Sequence, residues 1–206
     1  MQLRSLEQAD APQMLEWMHD EAVVRDLQTD FARKTLEDCR KFIETSHTDK
    51  KNLHLAIADE HGTYMGTVSL KHIGSRDAEF GITIRSCAMG KGYSGKAMEE
   101  IFRIAVTKYG LHRIYWCVNP CNARALRFYD KNGYQRMNTL DQQTAEMLSR
   151  EQIYTGQQIS TYVWYEKILD GRKADEPLTD KQEEYKLKQT GRNVWNEDGF
   201  TDTDYL

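Results

Sequence analysis

The chain has 206 residues, 39% of them hydrophobic and 29% charged, with a formal net charge of −4. That suffices for one well-buried domain and is small for two. No apolar run approaches the ~20 residues of a membrane helix, the start Met1-Gln2-Leu3-Arg4 lacks a signal-peptide core, and no basic face favours nucleic acid, so a cytoplasmic globular protein is predicted.

In chain order, Met1 to Leu6 reads as a strand, and Asp10 as the cap of a helix with Pro12 in its first turn and Met14, Leu15, Trp17 and Met18 as apolar positions. Glu21 to Leu27 reads as a second short helix. Thr35-Leu36-Glu37-Asp38 resembles a capping box for a helix to about Ser46. Leu53–Ala58 and Tyr64–His72 read as strands of a hairpin through Asp59-Glu60-His61-Gly62-Thr63. A strand from Ala78 to Ile84 feeds a glycine-rich turn, and Ala97, Met98, Ile101, Phe102 and Ala105 then recur at helical spacing. Ile114 to Val118 reads as a strand ending at Asn119-Pro120, and Asn122 as the cap of a helix closed by Gly133. Strands at Tyr134–Met137 and Ile159–Ile168 flank a helix or excursion from Leu140 to Gln152.

Two stretches carry the chemistry. Glycines between a strand and a helix let a ligand approach the backbone, with free N–H groups and the helix dipole behind them, which suits a phosphate or pyrophosphate. Gly90-Lys91-Gly92-Tyr93-Ser94-Gly95 has the Gly-x-Gly-x-x-Gly spacing of a dinucleotide fingerprint, but no β-α-β-α alternation surrounds it, and the P-loop spacing is missing. The second stretch runs from Asn122 to Tyr134. Together they resemble the GNAT superfamily of acetyl-CoA-dependent N-acetyltransferases, in the branch of ribosomal-protein and amino-sugar enzymes. The family's Gln/Arg-x-x-Gly-x-Gly/Ala loop aligns with Met89 to Ser94, departing at Met89 and Ser94. Its Asn-x-x-Ala-x-x-x-Tyr-x-x-x-Gly-Phe helix aligns with Asn122, Ala125, Tyr129, Gly133 and Tyr134.

The resemblance implies an α/β GNAT fold over residues 1–169: a mixed six- to seven-stranded sheet, flanked by helices, whose two central strands splay apart. It also implies acetyl-CoA as cosubstrate, no metal, direct acetyl transfer and an amine acceptor. The pantetheine arm would lie along Phe80 to Arg85, with Ile82, Thr83 and Ile84 beside it. Met89, Gly90, Lys91, Gly92, Tyr93, Ser94 and Gly95 would form the pyrophosphate loop, and Asn122 and Ala125 would line the arm. Tyr129 is the expected general acid, since a phenol can protonate a leaving thiolate. Glu79 is the expected base. By period two it shares a sheet face with Gly81 and Thr83, and the alternative is an ordinary solvated carboxylate. Trp164 and Tyr165 belong either to the acceptor cleft or to the core.

The four cysteines are scattered and read as free thiols rather than a zinc set. Cys87 lacks a neighbouring histidine and is not expected to act as a nucleophile. His54, His61, His72 and His112 are isolated and read as structural or surface residues. The acceptor reads as a small amine or amino sugar, because residues before Asp170 hold 22 Lys/Arg and 22 Asp/Glu and so carry no bias toward a charged peptide. The rivals are a protein N-terminal acetyltransferase and a non-catalytic acyl-CoA-binding module. Residues 170–206 form an acidic extension, and Trp195, Phe200, Tyr205 and Leu206 predict that it docks on the body or on a second subunit, leaving a homodimer open.

Overall fold

A computed structural model describes residues 1–27 and 29–169; the expectation for the C-terminal extension lies outside the described residues. Seven strands make one sheet in the order β1-β2-β3-β4-β5-β7-β6. They are β1 (Gln2–Ser5), β2 (Leu53–Ala58), β3 (Tyr64–Lys71), β4 (Asp77–Ile84), β5 (Arg113–Val118), β6 (Gln135–Arg136) and β7 (Val163–Ile168). The helices are α1 (Ala11–Met18), α2 (Glu21–Val24), α3 (Leu36–Ser46), α4 (Tyr93–Thr107), α5 (Ala123–Lys131), α6 (Gln142–Arg150) and α7 (Gly156–Thr161). All neighbouring strands run antiparallel except β4 and β5, which are parallel.

Alternation along the strands sorts the side chains between two faces. Leu55, Ile57, Val68, Leu70, Ala78 and Phe80 pack with Ala97, Met98, Ile101, Phe102 and Ala105 of α4. The intervening Ala56, with Tyr64, joins Met14, Trp17, Cys39 and Ile43 of α1 and α3 on the other face. Tyr115, Leu148, Tyr154 and Trp164 form a third cluster beneath α6. Trp164 and Tyr165 are both buried, so they belong to the core.

The parallel pair is the feature that matters for function. Only Asp77, Ala78 and Glu79 pair with Arg113, Ile114 and Tyr115. Both strands continue beyond this point without pairing to each other, β4 to Ile84 and β5 to Val118. The backbone edges of Phe80–Ile84 and Trp116–Val118 are therefore open on the sides that face the gap, and a buried edge of this kind must find partners for its N–H and C=O groups.

Some local expectations change. The last strand is shorter than Ile159–Ile168, because Thr155 and Gln158 make a reciprocal capping box that starts α7 instead. The strand expected at Tyr134–Met137 shrinks to Gln135–Arg136. Asp10 stands at the start of α1, but its carboxylate accepts two 2.7 Å bonds from Arg4 and one of 2.9 Å from the Glu7 N–H, so it caps nothing in that helix. The Thr35–Asp38 capping box forms as expected.

One half-buried histidine sets a pH dependence. His54 on β2 meets the Ser69 hydroxyl at 2.7 Å and lies against the Phe42 ring. Desolvation, with a smaller contribution from Lys71 and opposed by Asp49, pulls its pKa down to about 4. Between about pH 6.5 and 4 the unfolded chain takes up this proton and the native one does not, so stability rises with pH across that window and is lost as pH falls. From pH 7 to pH 5 the loss should reach about 1–2 kcal/mol. Urea unfolding at both pH values should show this loss diminished by that amount in His54→Gln; equal losses in the two proteins would assign the effect elsewhere.

Candidate active site

β4 ends in a 3-10 turn, Ser86–Ala88, and the chain then reverses into α4. Gly90 (φ 74°) and Gly92 (φ 81°) take left-handed conformations that other residues adopt only with strain. Gly92 is the N-cap of α4 and offers no side-chain cap, so the first-turn N–H groups of the helix are left for a ligand. A Cβ built at Gly90, Gly92 or Gly95 would meet nothing within 4 Å. The glycines therefore relieve no protein contact; they keep open the space in front of the helix.

Met89 stands where the family motif carries a basic or amide residue. Arg124, in the first turn of α5, places Nη1 2.9 Å from the Met89 Sδ, and its Nη2 reaches the Ala22 carbonyl at 3.4 Å. A guanidinium thus reaches the loop from a neighbouring helix. Lys91 and Lys96 are exposed on either side of Gly92. The cationic character expected of an anion seat is present, delivered partly from outside the loop.

The gap between β4 and β5 holds a cleft of about 220 Å³. Glu79, Ile82, Thr83, Asn122, Ala125 and Tyr129 all line it, together with Asp26, Leu27, Thr29 and Phe31. Ile84 is not in the lining; its side chain is core. Met89 to Gly95 lie outside the lining too, in the turn that leads from β4 into α4. Asn122 spends its Oδ1 on the Ala125 N–H at 3.0 Å, capping α5, which leaves its amide NH₂ for the cleft.

Tyr129 is buried among aromatic rings, with Trp116 and Tyr165 each 5.2 Å away between centroids and Tyr134 at 5.9 Å. Burial pushes its phenol pKa well up, so it keeps its proton as a donor. The frame around it is also tied down: Asp130 accepts from the Tyr165 hydroxyl at 2.9 Å and from two nitrogens of Arg136.

Glu79 is not the solvated carboxylate of the bland reading: it is 2% exposed. Lys71 pairs with its Oε1, and the Tyr154 hydroxyl donates to the same oxygen at 2.6 Å. Both partners also line the cleft. Oε2 has no hydrogen-bond partner among the described residues and stands 3.5 Å from the His72 Nε2. Lys71, Tyr154 and Arg124 were not singled out in the sequence. Lys71 is antiparallel to Glu79 in the β3–β4 register, which strand pairing could have supplied; Tyr154 arrives from 75 residues away without a local signal. Cys87 is exposed. Among the described residues no three His, Cys, Asp or Glu side chains gather to hold a metal, and no helix is long and apolar enough to cross a membrane.

Several solved structures share this architecture. Spermidine N-acetyltransferase from Vibrio cholerae, in complex with CoA and spermine, is 19% identical, with a TM-score of 0.65 over 82% of this chain and 95% of that one. A dodecameric form of the same Vibrio enzyme has a TM-score of 0.59 at 19% identity, covering 82% and 93%. A probable acetyltransferase is 18% identical, with a TM-score of 0.63 over 81% and 91%. None of the curated sequences compared matches the chain. Residues 1–135 match the model of the acetyltransferase (GNAT) domain. With the split parallel pair and the Asn122–Tyr129 helix at one cleft, and the glycine turn following β4, the chain belongs to the GNAT acetyltransferases, which take the acetyl group from acetyl-CoA and pass it to an amine.

Proposed function

We propose that the chain acetylates the primary amine of a small acceptor, with Glu79 as base and Tyr129 as acid. The observation that carries this reading is that Glu79 and Tyr129 line one cleft of about 220 Å³ at the split between β4 and β5. An amine must lose a proton before it attacks, and the departing sulfur must gain one. Two groups of opposite character in one cleft suit those opposite demands. Gly90 to Gly95, with the first turn of α4 and Arg124, hold the pyrophosphate, and the open edges of Ile82–Ile84 pair with the pantetheine arm.

The cleft's size and cover favour a small acceptor over a protein N-terminus. Asp26, Leu27, Thr29 and Phe31 add to its lining, which leaves little room for an extended peptide. Asp26, paired with Arg25 at 3.5 Å, also puts a carboxylate in the lining, which favours an ammonium. The Vibrio spermidine N-acetyltransferases, alike in fold, act on linear amines of that chemistry. An amino sugar fits the same volume. The test is thiol release from acetyl-CoA across a panel of polyamines, amino sugars and short peptides with free N-termini. Turnover should be highest with one of the first two classes. Preferred peptides would establish the N-terminal acetyltransferase instead, and no thiol release from any amine, with acetyl-CoA still stabilising the protein, would establish a binding module.

A further inference from the structure

We propose that His72 carries the reaction's proton away from Glu79, into a second cavity on the other side of that carboxylate. This rests on Glu79 being the base. Overall, an ammonium acceptor and acetyl-CoA give an amide, a free thiol and one proton: the N–C bond forms, the C–S bond breaks, Tyr129 protonates the sulfur, and of the two protons the nitrogen loses one restores the Tyr129 phenol and the other is released. Glu79 is only 2% exposed, so a proton it takes up leaves most readily through a neighbouring side chain.

The two carboxylate oxygens face different spaces. Oε1 is on the cleft side, held by Lys71 and Tyr154, both of which line the cleft. Oε2 is buried without a hydrogen-bond partner among the described residues and faces the His72 Nε2 at 3.5 Å. A buried carboxylate oxygen left in this way is costly at rest. It becomes useful once the carboxyl is protonated. Rotation about the terminal torsion, which is soft for an sp³–sp² bond, turns the O–H toward the imidazole. A contraction of about half an ångström then makes a hydrogen bond.

His72 stands at the boundary. Its side chain is 25% exposed and lines a cavity of about 660 Å³, distinct from the cleft and rimmed by the exposed Lys51, Ser75 and Glu151. Its backbone is left-handed, φ 51°, an uncommon state for a residue with a side chain, and its N–H is fixed by the Asn52 Oδ1 at 2.9 Å. Desolvation holds the imidazole below its ordinary pKa, so it is neutral near pH 7 and able to accept a proton. Glu79 and Glu151 act in the opposite sense, and Lys71 and Lys51 in the same one. The imidazole takes the proton on Nε2 and gives up the one on Nδ1 to water in the outer cavity, and proton exchange with that water then returns the ring to its Nδ1–H tautomer.

His72→Asn and His72→Gly both suit the left-handed backbone and remove the relay. Each should lower kcat about tenfold, leave both KM values near wild type, and regain turnover when free imidazole is added. Glu79→Gln should be impaired and insensitive to imidazole. If Glu79→Gln keeps full turnover, the base assignment is wrong and the relay falls with it. If Glu79→Gln is impaired while the His72 variants keep wild-type kcat, or lose it without imidazole rescue, the relay alone is overturned.

Discussion

Tyr129→Phe should lower turnover by about 10- to 10³-fold while acetyl-CoA affinity stays near its wild-type value. The substitution removes one oxygen from a ring whose packing against Trp116, Tyr134 and Tyr165 is otherwise unchanged, so the aromatic box and the cleft should persist. What is lost is a proton donor toward the departing sulfur. Because burial pushes the phenol pKa up, the hydroxyl stays protonated across the ordinary assay range. The fold-loss should therefore be nearly constant from mildly acidic to mildly basic pH rather than growing at one end. Steady-state kinetics with acetyl-CoA varied at a saturating amine would measure it. An unchanged kcat, or a loss expressed only as a higher KM for acetyl-CoA, would remove Tyr129 from the chemistry and leave it as packing.

Much of this site was legible in the sequence because local rules governed it. The alternation of Leu55, Ile57, Val68 and Leu70 fixes which face of the sheet receives α4, and the spacing of Ala97, Met98, Ile101 and Phe102 supplies the matching stripe. The glycine turn falls between β4 and α4 as expected, with Gly90 and Gly92 in left-handed backbone, and Asn122 caps α5 as expected. What escaped was set by distance along the chain. That Glu79 is buried depends on Lys71 from the adjacent strand and on Tyr154 from the loop after α6, so its own neighbours could not reveal it. Arg124 compensates for Met89 from a different helix. α7 was hidden for another reason: Ile159 to Ile168 reads as one stretch rich in β-branched and aromatic residues, while the Thr155–Gln158 box just before it carries a helix as far as Thr161. His72 read as an isolated histidine because its partner, Glu79, meets it only through the pairing of β3 with β4.

Gly92→Val should abolish the rise in melting temperature that acetyl-CoA gives the wild-type protein. A ligand that binds only the native state adds RT ln(1 + [L]/Kd), about 2.7 kcal/mol at a hundredfold excess over Kd, so the wild-type shift should be plain. Gly92 has φ 81° and caps α4, and a Cβ there meets no protein atom within 4 Å. The variant therefore suffers in two separable ways. A β-branched residue in the left-handed region costs roughly 1–2 kcal/mol of stability, and the isopropyl group enters the space the pyrophosphate needs. Gly110→Val separates them. Gly110 has φ 61° and is equally free of contacts, but it lies beyond the opposite end of α4. It should lose comparable stability and still respond to acetyl-CoA. Full shifts in both variants would remove the glycine turn from the cofactor site, and loss in both would mean that backbone strain, rather than the occupied space, weakens binding.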